Sequence, residues 1–525
     1  MSAPNPYDPG ALAKLLFRRQ FLMGPKPIEG LPDWKRTDIA GTYHLATHPD
    51  LGVQQASDGC RSVTLLGYIL DPHNPDRSDA DIVTALLGES SNIDLLIAAT
   101  SPLGGRWVLI VCEGTETILI HDAGGMRQVC YSRSDSVTAR NGWCASQPGL
   151  LAEKFSLAED QEAVGFVEAR DTWEYLIHWL PGDTSLYEDI KFLLPNHSLN
   201  LSTGAVRRYW PNAALGSIEP RRALEESSRL MRGLMEAARR RFGMALSLTA
   251  GWDSRIMLAL SKECFHELYF FTLWYPHFTR DTADIAIPAA LLTKLGGAHS
   301  IIPGVERGHR EFEAIYARSS ASRGRVGCGH AQALYETYPQ ERVCISGDVA
   351  EIVKCYIRPP GVDGKPVSAE LLATFDEMGS HPFVLRAYDK WLSGVTRHNV
   401  DLLDLFCWEQ MAGRVQAAHR SDLDIVQECF APFNCRSLLA TMLSVDEAHR
   451  KRPEFSLLRD LLVDLWPETL SEPINPPRRV GVREAVVRTL VRWHLWQLIP
   501  RPMIRLGKRA VRMARPGRNK STSTR

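Results

Sequence analysis

In the first 215 residues, hydrophobic positions fall in short runs separated by turn-forming residues. Apolar runs at 107–112 and 117–120, joined by a polar turn at 113–115, predict two buried strands. Helical spacing around 80–87 and 160–179 predicts helices beside them. Strands and helices in this mixture are typical of a layered α+β domain, which we place at residues 1–215.

The pattern changes after Pro211, where a loop leads into a long stretch of helical spacing that begins near Arg221. The elements predicted next are a strand at 244–248, a loop at 249–254, a helix from 255, a strand at 268–272, a helix at 283–295 and a strand at 343–345. Strands that alternate with helices indicate a parallel, doubly wound sheet. We therefore predict an α/β domain at residues 216–485.

The end of the chain is strongly basic. From Arg478 onward, 14 Lys and Arg residues stand against a single carboxylate, Glu484. We assign residues 486–525 to a basic amphipathic helix and a disordered tail. Two interpretations stay open for this helix: it packs on the preceding domain, or it makes peripheral contact with a membrane surface or an acidic partner.

Composition narrows the possible partners and the compartment. The chain of 525 residues is 44% hydrophobic and 23% charged with a formal net charge of +0, which is typical of a soluble globular protein. Without net positive charge, we expect no nucleic-acid partner. The 11 cysteines lack metal-site or disulfide spacing, and no apolar run is long enough to span a membrane, so we predict a cytoplasmic protein.

The loop at 249–254 carries the clearest candidate chemistry. A loop that leaves a parallel strand and opens a helix directs backbone N–H groups and the positive end of the helix dipole at one point, which favours phosphate. Hydroxyls at Thr249 and Ser254 can donate hydrogen bonds, and Asp253 can hold Mg²⁺. The candidate nucleotide-binding residues here are Leu248, Thr249, Ala250, Gly251, Asp253 and Ser254. The structural alternative is that Asp253 and Ser254 only cap the helix.

This loop resembles the Ser-Gly-Gly-x-Asp-Ser pyrophosphate loop of asparagine synthetases and related ATP pyrophosphatases. Thr272 resembles the strand end where that family holds adenine, and Asp284 stands at its following acidic position. Residues 346–351 resemble the family's Ser-Gly-Glu-Gly-Ala-Asp segment. The resemblance implies nucleotide contacts for Ser346 and Gly347 and a second magnesium-binding carboxylate at Glu351. A surface salt bridge is the alternative for Glu351.

Weaker landmarks extend the resemblance over most of the chain. They are Gly105-Arg106-Trp107, His121 to Arg127, Ala145-Ser146, residues 193–197, Pro432-Phe433-Asn434 and residues 474–479. Their order implies an Ntn-hydrolase-like, glutaminase-type domain followed by an adenine nucleotide alpha hydrolase-like domain of the ATP-pyrophosphatase type.

Departures from the family pattern modify these expectations. Ser2 stands where glutamine-hydrolysing members have a nucleophilic cysteine, so we expect no glutamine hydrolysis, as in the similar β-lactam synthetases and lasso-peptide cyclases. Ala250 replaces a glycine, and its Cβ would penalise a positive φ. Residues 353–355 replace a glycine pair, and Lys354 there could supply charge in place of lost backbone contacts. With Glu351 and Arg478, it completes the predicted catalytic group.

The resemblance implies an ATP- and Mg²⁺-dependent carbon–nitrogen ligase. Such an enzyme adenylates a carboxylate and then forms an amide with ammonia or an amine, releasing AMP and pyrophosphate. Its partners would be small-molecule or peptide carboxylates and amines. Two alternatives remain: a non-catalytic nucleotide-binding regulatory or scaffold protein, and an RNA-thiolating enzyme, which would need catalytic cysteines or an RNA-binding module that the sequence does not display.

Overall fold

A computed structural model describes residues 7–133, 142–169, 179–275, 278–305, 308–321, 325–357, 366–375, 378–396 and 398–476. The strands of this part of the chain are β1 (Phe21–Gly24), β2 (Lys35–Ile39), β3 (Tyr43–Thr47), β4 (Val53–Ser57), β5 (Arg61–Leu70), β6 (Gly104–Glu113), β7 (Glu116–His121), β8 (Cys130–Ser132), β9 (Cys144–Ala145), β10 (Ile190–Phe192), β11 (His197–Asn200), β12 (Ala205–Arg208), β13 (Met244–Ser247), β14 (Tyr269–Leu273), β15 (Ser300–Ile302), β16 (Val343–Ile345) and β17 (Cys429–Phe430).

The helices of the same residues are α1 (Pro9–Ala13), α2 (Asp79–Glu89), α3 (Ile93–Ala99), α4 (Pro148–Phe155), α5 (Gln161–Ala169), α6 (Pro220–Arg241), α7 (Trp252–Leu260), α8 (Ala283–Leu295), α9 (Arg310–Ser319), α10 (Arg325–Thr337), α11 (Ala369–Phe375), α12 (Pro382–Ser393), α13 (Leu402–Phe406), α14 (Ala417–Leu423), α15 (Arg436–Leu443), α16 (Glu447–Arg450) and α17 (Ser456–Leu465). Short 3₁₀ segments lie at Lys262–Glu267, Ala350–Lys354 and Pro467–Ser471, and a π-helix runs over Cys407–Gln416.

Local sequence sets several helix boundaries. Proline stands in the first turn of α1, α4, α6 and α12, where no N–H partner is lost, and Gly296 ends α8 with φ 78°.

The first half of the chain forms two antiparallel sheets packed face to face between helices. Among the described residues each sheet has six strands, in the orders β10-β8-β9-β1-β3-β2 and β12-β11-β7-β6-β5-β4. Alternate side chains of β1 and β3 meet those of β5 and β6 in the core between the sheets. The opposite faces are covered by α2 and α3 on one side and by α4 on the other. The predicted α+β layering and the strands and helix predicted at 107–112, 117–120 and 80–87 are confirmed.

The second half is built on a parallel sheet of five described strands in the order β15-β14-β13-β16-β17. The chain steps outward from β13 to β15 and then returns to the other side at β16, which is doubly wound topology. The predicted sheet and the helix at 283–295 are therefore confirmed. The sequence pattern missed β15 and β17, because strands of three and two residues carry too few positions to show a period.

Landmark residues of the first half bind directly to the second half. The Asp122 carboxylate accepts hydrogen bonds from the backbone N–H groups of Met126 and Arg127 and from Asn434 Nδ2 at 2.9 Å. Asn434 Oδ1 in turn accepts the Gly124 N–H at 2.7 Å. These contacts give the His-Asp and Pro-Phe-Asn landmarks a structural role.

Buried charges join the same two regions. Arg106, on β6, pairs with Asp424 and with Glu428, whose Oε1 lies 2.8 Å from Arg106 Nη1. Arg127 Nη2 binds the other Glu428 oxygen at 2.8 Å. Breaking such a pair from one side leaves an uncompensated buried charge, so the cluster fixes how the layered sheets meet the parallel sheet.

Residues up to Ile474 form one compact unit, and Asn475–Arg525 form a second. The basic amphipathic helix and disordered tail predicted at 486–525 fall in the second unit and lie outside the described residues. The proposed division at 215 stays a prediction; α6 bridges the antiparallel sheets and β13. Within the described segments no helix is both long and apolar enough to cross a membrane.

Candidate active site in the crevice between two loops

The candidate site lies where β13 and β16 end side by side. These neighbouring strands leave the sheet in opposite directions of winding, so the loops after them open a crevice at their carboxyl ends. Residues 248–251 connect β13 to α7, and residues 346–349 connect β16 to the 3₁₀ segment Ala350–Lys354. We call this place the crevice.

Three backbone N–H groups of the first loop, those of residues 249–251, have side-chain acceptors. Thr249 N donates to Ser254 Oγ at 3.1 Å, and Gly251 N donates to Thr249 Oγ1 at 3.2 Å. Ala250 N donates to Asp284 Oδ1 at 3.0 Å. The Asp284 carboxylate, in the first turn of α8, therefore accepts one of the backbone N–H groups expected to meet phosphate.

The loop adopts this shape without the strain expected at Ala250, which does not have a positive φ. Gly251 caps α7 with φ −80° and ψ 164°, a conformation open to any residue. The expected penalty for replacing glycine at position 250 is therefore absent. Strain appears instead at the two ends of the 3₁₀ segment Ala350–Lys354, where Val349 has φ 74° and Cys355 has φ 46°. A β-branched residue in this region is an outlier, and such strain concentrates at functional sites.

Asp253 and Glu351 face each other across a shared cation, the Lys354 ammonium group. Lys354 Nζ lies 2.7 and 2.6 Å from the two Asp253 oxygens and 3.5 Å from Glu351 Oε1. Asp253 comes from the first turn of α7, and the other two residues come from the segment after β16. Both carboxylates therefore converge on one point from the segments after β13 and β16, and Lys354 occupies that point.

Gly347 permits this close approach. A Cβ atom at Gly347 would stand 2.4 Å from the Asp253 Cβ, closer than side-chain carbons ever pack. The second loop can therefore pass the start of α7 only because residue 347 has no side chain. Glycine at this position has a steric reason that is independent of any nucleotide.

Two side chains from a distant helix hold the second loop. Gln416 Oε1 accepts the Val349 N–H at 2.8 Å, while its Nε2 donates to Glu351 Oε2 at 2.6 Å. Arg420 pairs with Asp348 and donates to Ser346 Oγ at 2.8 Å. Gln416 ends the π-helix Cys407–Gln416 and Arg420 lies in α14, one helical turn later. This helix therefore orients the second acidic side chain.

Burial and like charge shape the protonation of the crevice. Burial and the neighbouring Glu351 raise the pKa of Asp253 to about 7, although Lys354 acts to lower it. Burial acts to lower the pKa of Lys354, but Asp253 and Glu351 outweigh it and raise that pKa. One lysine thus stands between two carboxylates, and the crevice favours additional positive charge when both are ionised.

Two other predicted residues stabilise the loop from behind. Leu248 is buried, and its carbonyl accepts the Thr272 hydroxyl at 2.6 Å. The same hydroxyl lies 2.8 Å from His299 Nε2, and burial lowers the pKa of His299. The Thr272 hydroxyl therefore already has partners within the protein. Only the backbone of Thr272 could contact an adenine at this position.

The structure brings most of the predicted residues together and adds others. All the predicted residues of this region lie in the two loops or in the helical segments that directly follow them: Leu248, Thr249, Ala250, Gly251, Asp253, Ser254, Ser346, Gly347, Glu351 and Lys354. Arg478, like Ser2, lies outside the described residues. Sequence analysis missed Gln416, Arg420 and Arg255. Arg255 is fully buried and donates to the Thr469 and Glu472 carbonyls at 2.5 and 2.9 Å. Gln416 and Arg420 carry no local signal, whereas Arg255 is visible in the sequence as a charge within the apolar stretch of α7.

The crevice offers only part of a metal site. Among the described residues no group of three or more His, Cys, Asp or Glu side chains could hold a metal ion. Two carboxylates are nevertheless what Mg²⁺ commonly takes from a protein when phosphates supply further oxygens. Asp253 and Glu351 fit that donor set, provided that the Lys354 ammonium moves from between them.

No protein-family model matches this sequence, and no curated protein matches it. Solved structures give distant matches. Glutamine phosphoribosylpyrophosphate amidotransferase from B. subtilis, complexed with ADP and GMP, has 12% identity and a TM-score of 0.22 over 70% of this chain and 75% of that one. Glutamine-dependent NAD+ synthetase from Acinetobacter baumannii, complexed with ADP, has 12% identity and a TM-score of 0.17 over 48% and 55%. An allosteric regulatory enzyme of purine biosynthesis has 11% identity and a TM-score of 0.23 over 76% and 91%.

Proposed function

We propose that the crevice binds ATP and that the protein is an ATP-dependent ligase of the asparagine-synthetase type, which activates a carboxylate and joins it to ammonia or an amine. The observation that carries the proposal is the convergence of Asp253 and Glu351, from the loops after β13 and β16, on one cation position. This position lies at the switch point of the parallel sheet, where open α/β folds bind ligands.

The reaction has two steps. An oxygen of the substrate carboxylate attacks the α-phosphorus of ATP, and the bond from this phosphorus to the bridging oxygen breaks, which releases pyrophosphate. The amine nitrogen then attacks the acyl carbon, the carbon–oxygen bond to AMP breaks, and the nitrogen gives up a proton to solvent. Neither step requires Asp253 or Glu351 to carry a proton.

The residues of the crevice stabilise charge in this scheme. Backbone N–H groups at 249–251 would hold phosphate oxygens after exchanging Asp284, Thr249 and Ser254 for the nucleotide. Lys354 would offset the negative charge that builds up on the departing pyrophosphate. Mg²⁺, held by Asp253 and Glu351, would neutralise phosphate charge. Arg478 stays a predicted second basic group near the reacting atoms.

A second candidate function has its own support. Each loop N–H named above already has an internal acceptor, and the Lys354 ammonium already occupies the position between the two carboxylates. A crevice that is complete without ligand suits a non-catalytic descendant that keeps the nucleotide as a structural or regulatory ligand. In this reading Lys354 stands permanently in place of a metal ion.

ATP–pyrophosphate exchange distinguishes the two functions. The full-length protein is incubated with MgCl₂, ATP, labelled pyrophosphate and a panel of amino acids and other carboxylates. We expect exchange with at least one carboxylate, its loss in Asp253→Ala, and its retention in Asp460→Ala, which removes an exposed carboxylate on α17. ATP binding without exchange across the panel would favour the regulatory protein, and exchange that survives Asp253→Ala would contradict the proposed site.

A further inference from the structure

A second candidate site lies on the far side of the helix that supports the crevice. A cavity of about 330 Å³ is bounded by α4, α5, residues 179–187, β10, the end of α9 and the helix at 414–418. This volume is at the lower end of the range found for small-molecule sites. Much of its wall is apolar, including Val164, Leu180, Leu186 and Phe192.

One wall carries a buried cation with incomplete hydrogen bonding. Arg414 is 4% exposed, donates from Nη2 to the Thr184 carbonyl at 2.9 Å, and stacks over the Phe192 ring at 3.6 Å from its centre. Its Nε and Nη1 atoms have no acceptor among the described residues. Burial lowers the pKa of Arg414 to about 10, so the side chain is still protonated at neutral pH.

No carboxylate in the described part of the chain accepts a hydrogen bond from Nε or Nη1 of Arg414. Asp183 is the acidic residue that acts on its charge, and an Asp183 oxygen is bound to Lys390 Nζ at 2.7 Å. Glu153, on the cavity wall, pairs with Arg318 at 3.0 Å. Leaving N–H groups of a charged side chain buried without acceptors is costly, and such groups call for an explanation such as a bound water, ion or ligand.

A hydroxyl on the same cavity is also unsatisfied. Ser320, which follows α9, is 7% exposed and lines the cavity, and its Oγ has no hydrogen-bond partner among the described residues. An apolar chamber with a buried cation and an available hydroxyl matches one ligand chemistry: an apolar body ending in a carboxylate.

We propose that this cavity is a binding site for a small organic carboxylate with an apolar body, whose carboxylate is held by Arg414 and Ser320. The site is distinct from the crevice. Arg414 and Ala418 line the cavity, whereas Gln416 and Arg420 of the same helix contact the residues of the second loop. The proposal therefore does not depend on ATP binding, and either one can fail without the other.

Calorimetric titration of the full-length protein, without nucleotide, tests the site. The probes are 4-methylpentanoate, phenylacetate and leucine. Each is compared with the corresponding compound in which an uncharged amide group replaces the carboxylate. We expect one-to-one binding of at least one carboxylate and a loss of at least about tenfold in affinity for its amide, because the charged hydrogen bonds to Arg414 are lost. Absence of binding across the panel, or equal binding of acid and amide, would overturn the proposal.

Variants locate the binding. Arg414→Met should weaken it at least about tenfold and Ser320→Ala about threefold, because the first removes a charged donor and the second a neutral one. Val164→Phe fills the chamber from α5 and should abolish binding while Arg414 remains, which covers the case that Arg414→Met fails to fold. Arg221→Met is the control, since this arginine lies on α6, does not line the cavity and has 90% of its side chain exposed. Unchanged affinity in both Arg414→Met and Val164→Phe would overturn the proposal.

Discussion

The crevice and the Arg414 cavity lie against one helix, yet their polar groups are in opposite states. In the crevice the three loop N–H groups and the Lys354 ammonium all have acceptors within the protein. In the cavity two guanidinium nitrogens and the Ser320 hydroxyl have none in the described part of the chain. A ligand of the crevice must therefore displace internal partners, whereas a ligand of the cavity adds partners that are missing.

This difference bears on stability as well as on binding. Internal partners let the crevice keep its shape without ligand, so substitutions there should disturb folding and binding together. The cavity keeps an unsatisfied cation at a cost to the folded state, so substitutions there should affect binding more than folding. Four substitutions test the comparison, from the largest expected effect to the smallest.

Lys354→Met should lower the free energy of unfolding by about 3 kcal/mol, because two facing carboxylates lose their counterion. Urea denaturation measures this loss, and millimolar MgCl₂ should recover part of it in the variant alone. Lys390→Met is the control: its pair with Asp183 is exposed on the lysine side and should contribute at most about 1 kcal/mol. Similar losses in the two variants would show that the cation between the acidic loops has no special role.

Gly347→Ala should cost about 2 kcal/mol, because the new methyl group collides with Asp253 and pushes the two loops apart. Pyrophosphate exchange should fall with it. Gly88→Ala, in α2, is the matched control, since a Cβ there meets no atom within 4 Å. If Gly347→Ala leaves stability and exchange at the level of Gly88→Ala, the close approach of the two loops is not needed.

Arg414→Met should change the free energy of unfolding by no more than about 1 kcal/mol, because the lost contacts are offset by removal of an unsatisfied buried charge. Arg106→Met, which strips a buried arginine from Asp424 and Glu428, should cost at least about 3 kcal/mol. Thermal and urea unfolding compare the two variants. A loss for Arg414→Met as large as that for Arg106→Met would mean that the arginine serves the fold.

Asp284→Asn should tighten ATP binding about fivefold. The asparagine oxygen can still accept the Ala250 N–H, but about 1 kcal/mol of repulsion with the phosphates is removed. Fluorescence titration with a labelled ATP analogue measures the change. Asp281→Asn, an exposed residue just before α8, is the control. Weaker binding in Asp284→Asn would assign this carboxylate a positive part in holding the nucleotide.

Local patterns in the sequence were sufficient for much of the fold and for the loops. Short apolar runs predicted β6 and β7, helical spacing predicted α6 and α8, and the alternation of strands with helices predicted the parallel sheet. The second acidic segment was expected only from the family resemblance, because the sequence pattern does not show that β13 and β16 are neighbours. Short strands such as β17 were missed because two or three residues are too few to show an alternating pattern of hydrophobic positions.

Long-range contacts could not be predicted in this way. Gln416 reaches Glu351 from 65 residues away, and Arg106 reaches Asp424 across 318 residues. Neither pair has a spacing that sequence periodicity reports. The Arg414 cavity is also invisible in the sequence, because an arginine in a helical stretch is ordinarily a solvated side chain. Its importance comes only from what surrounds it.

The most direct test of the crevice is calorimetric titration of the full-length protein with ATP in the presence of MgCl₂. We expect one binding site for ATP. Its affinity should fall at least about tenfold in Asp253→Ala, through loss of charge-assisted contacts, and should be unchanged in Arg414→Met. No binding, or binding that is insensitive to Asp253→Ala, would contradict this expectation.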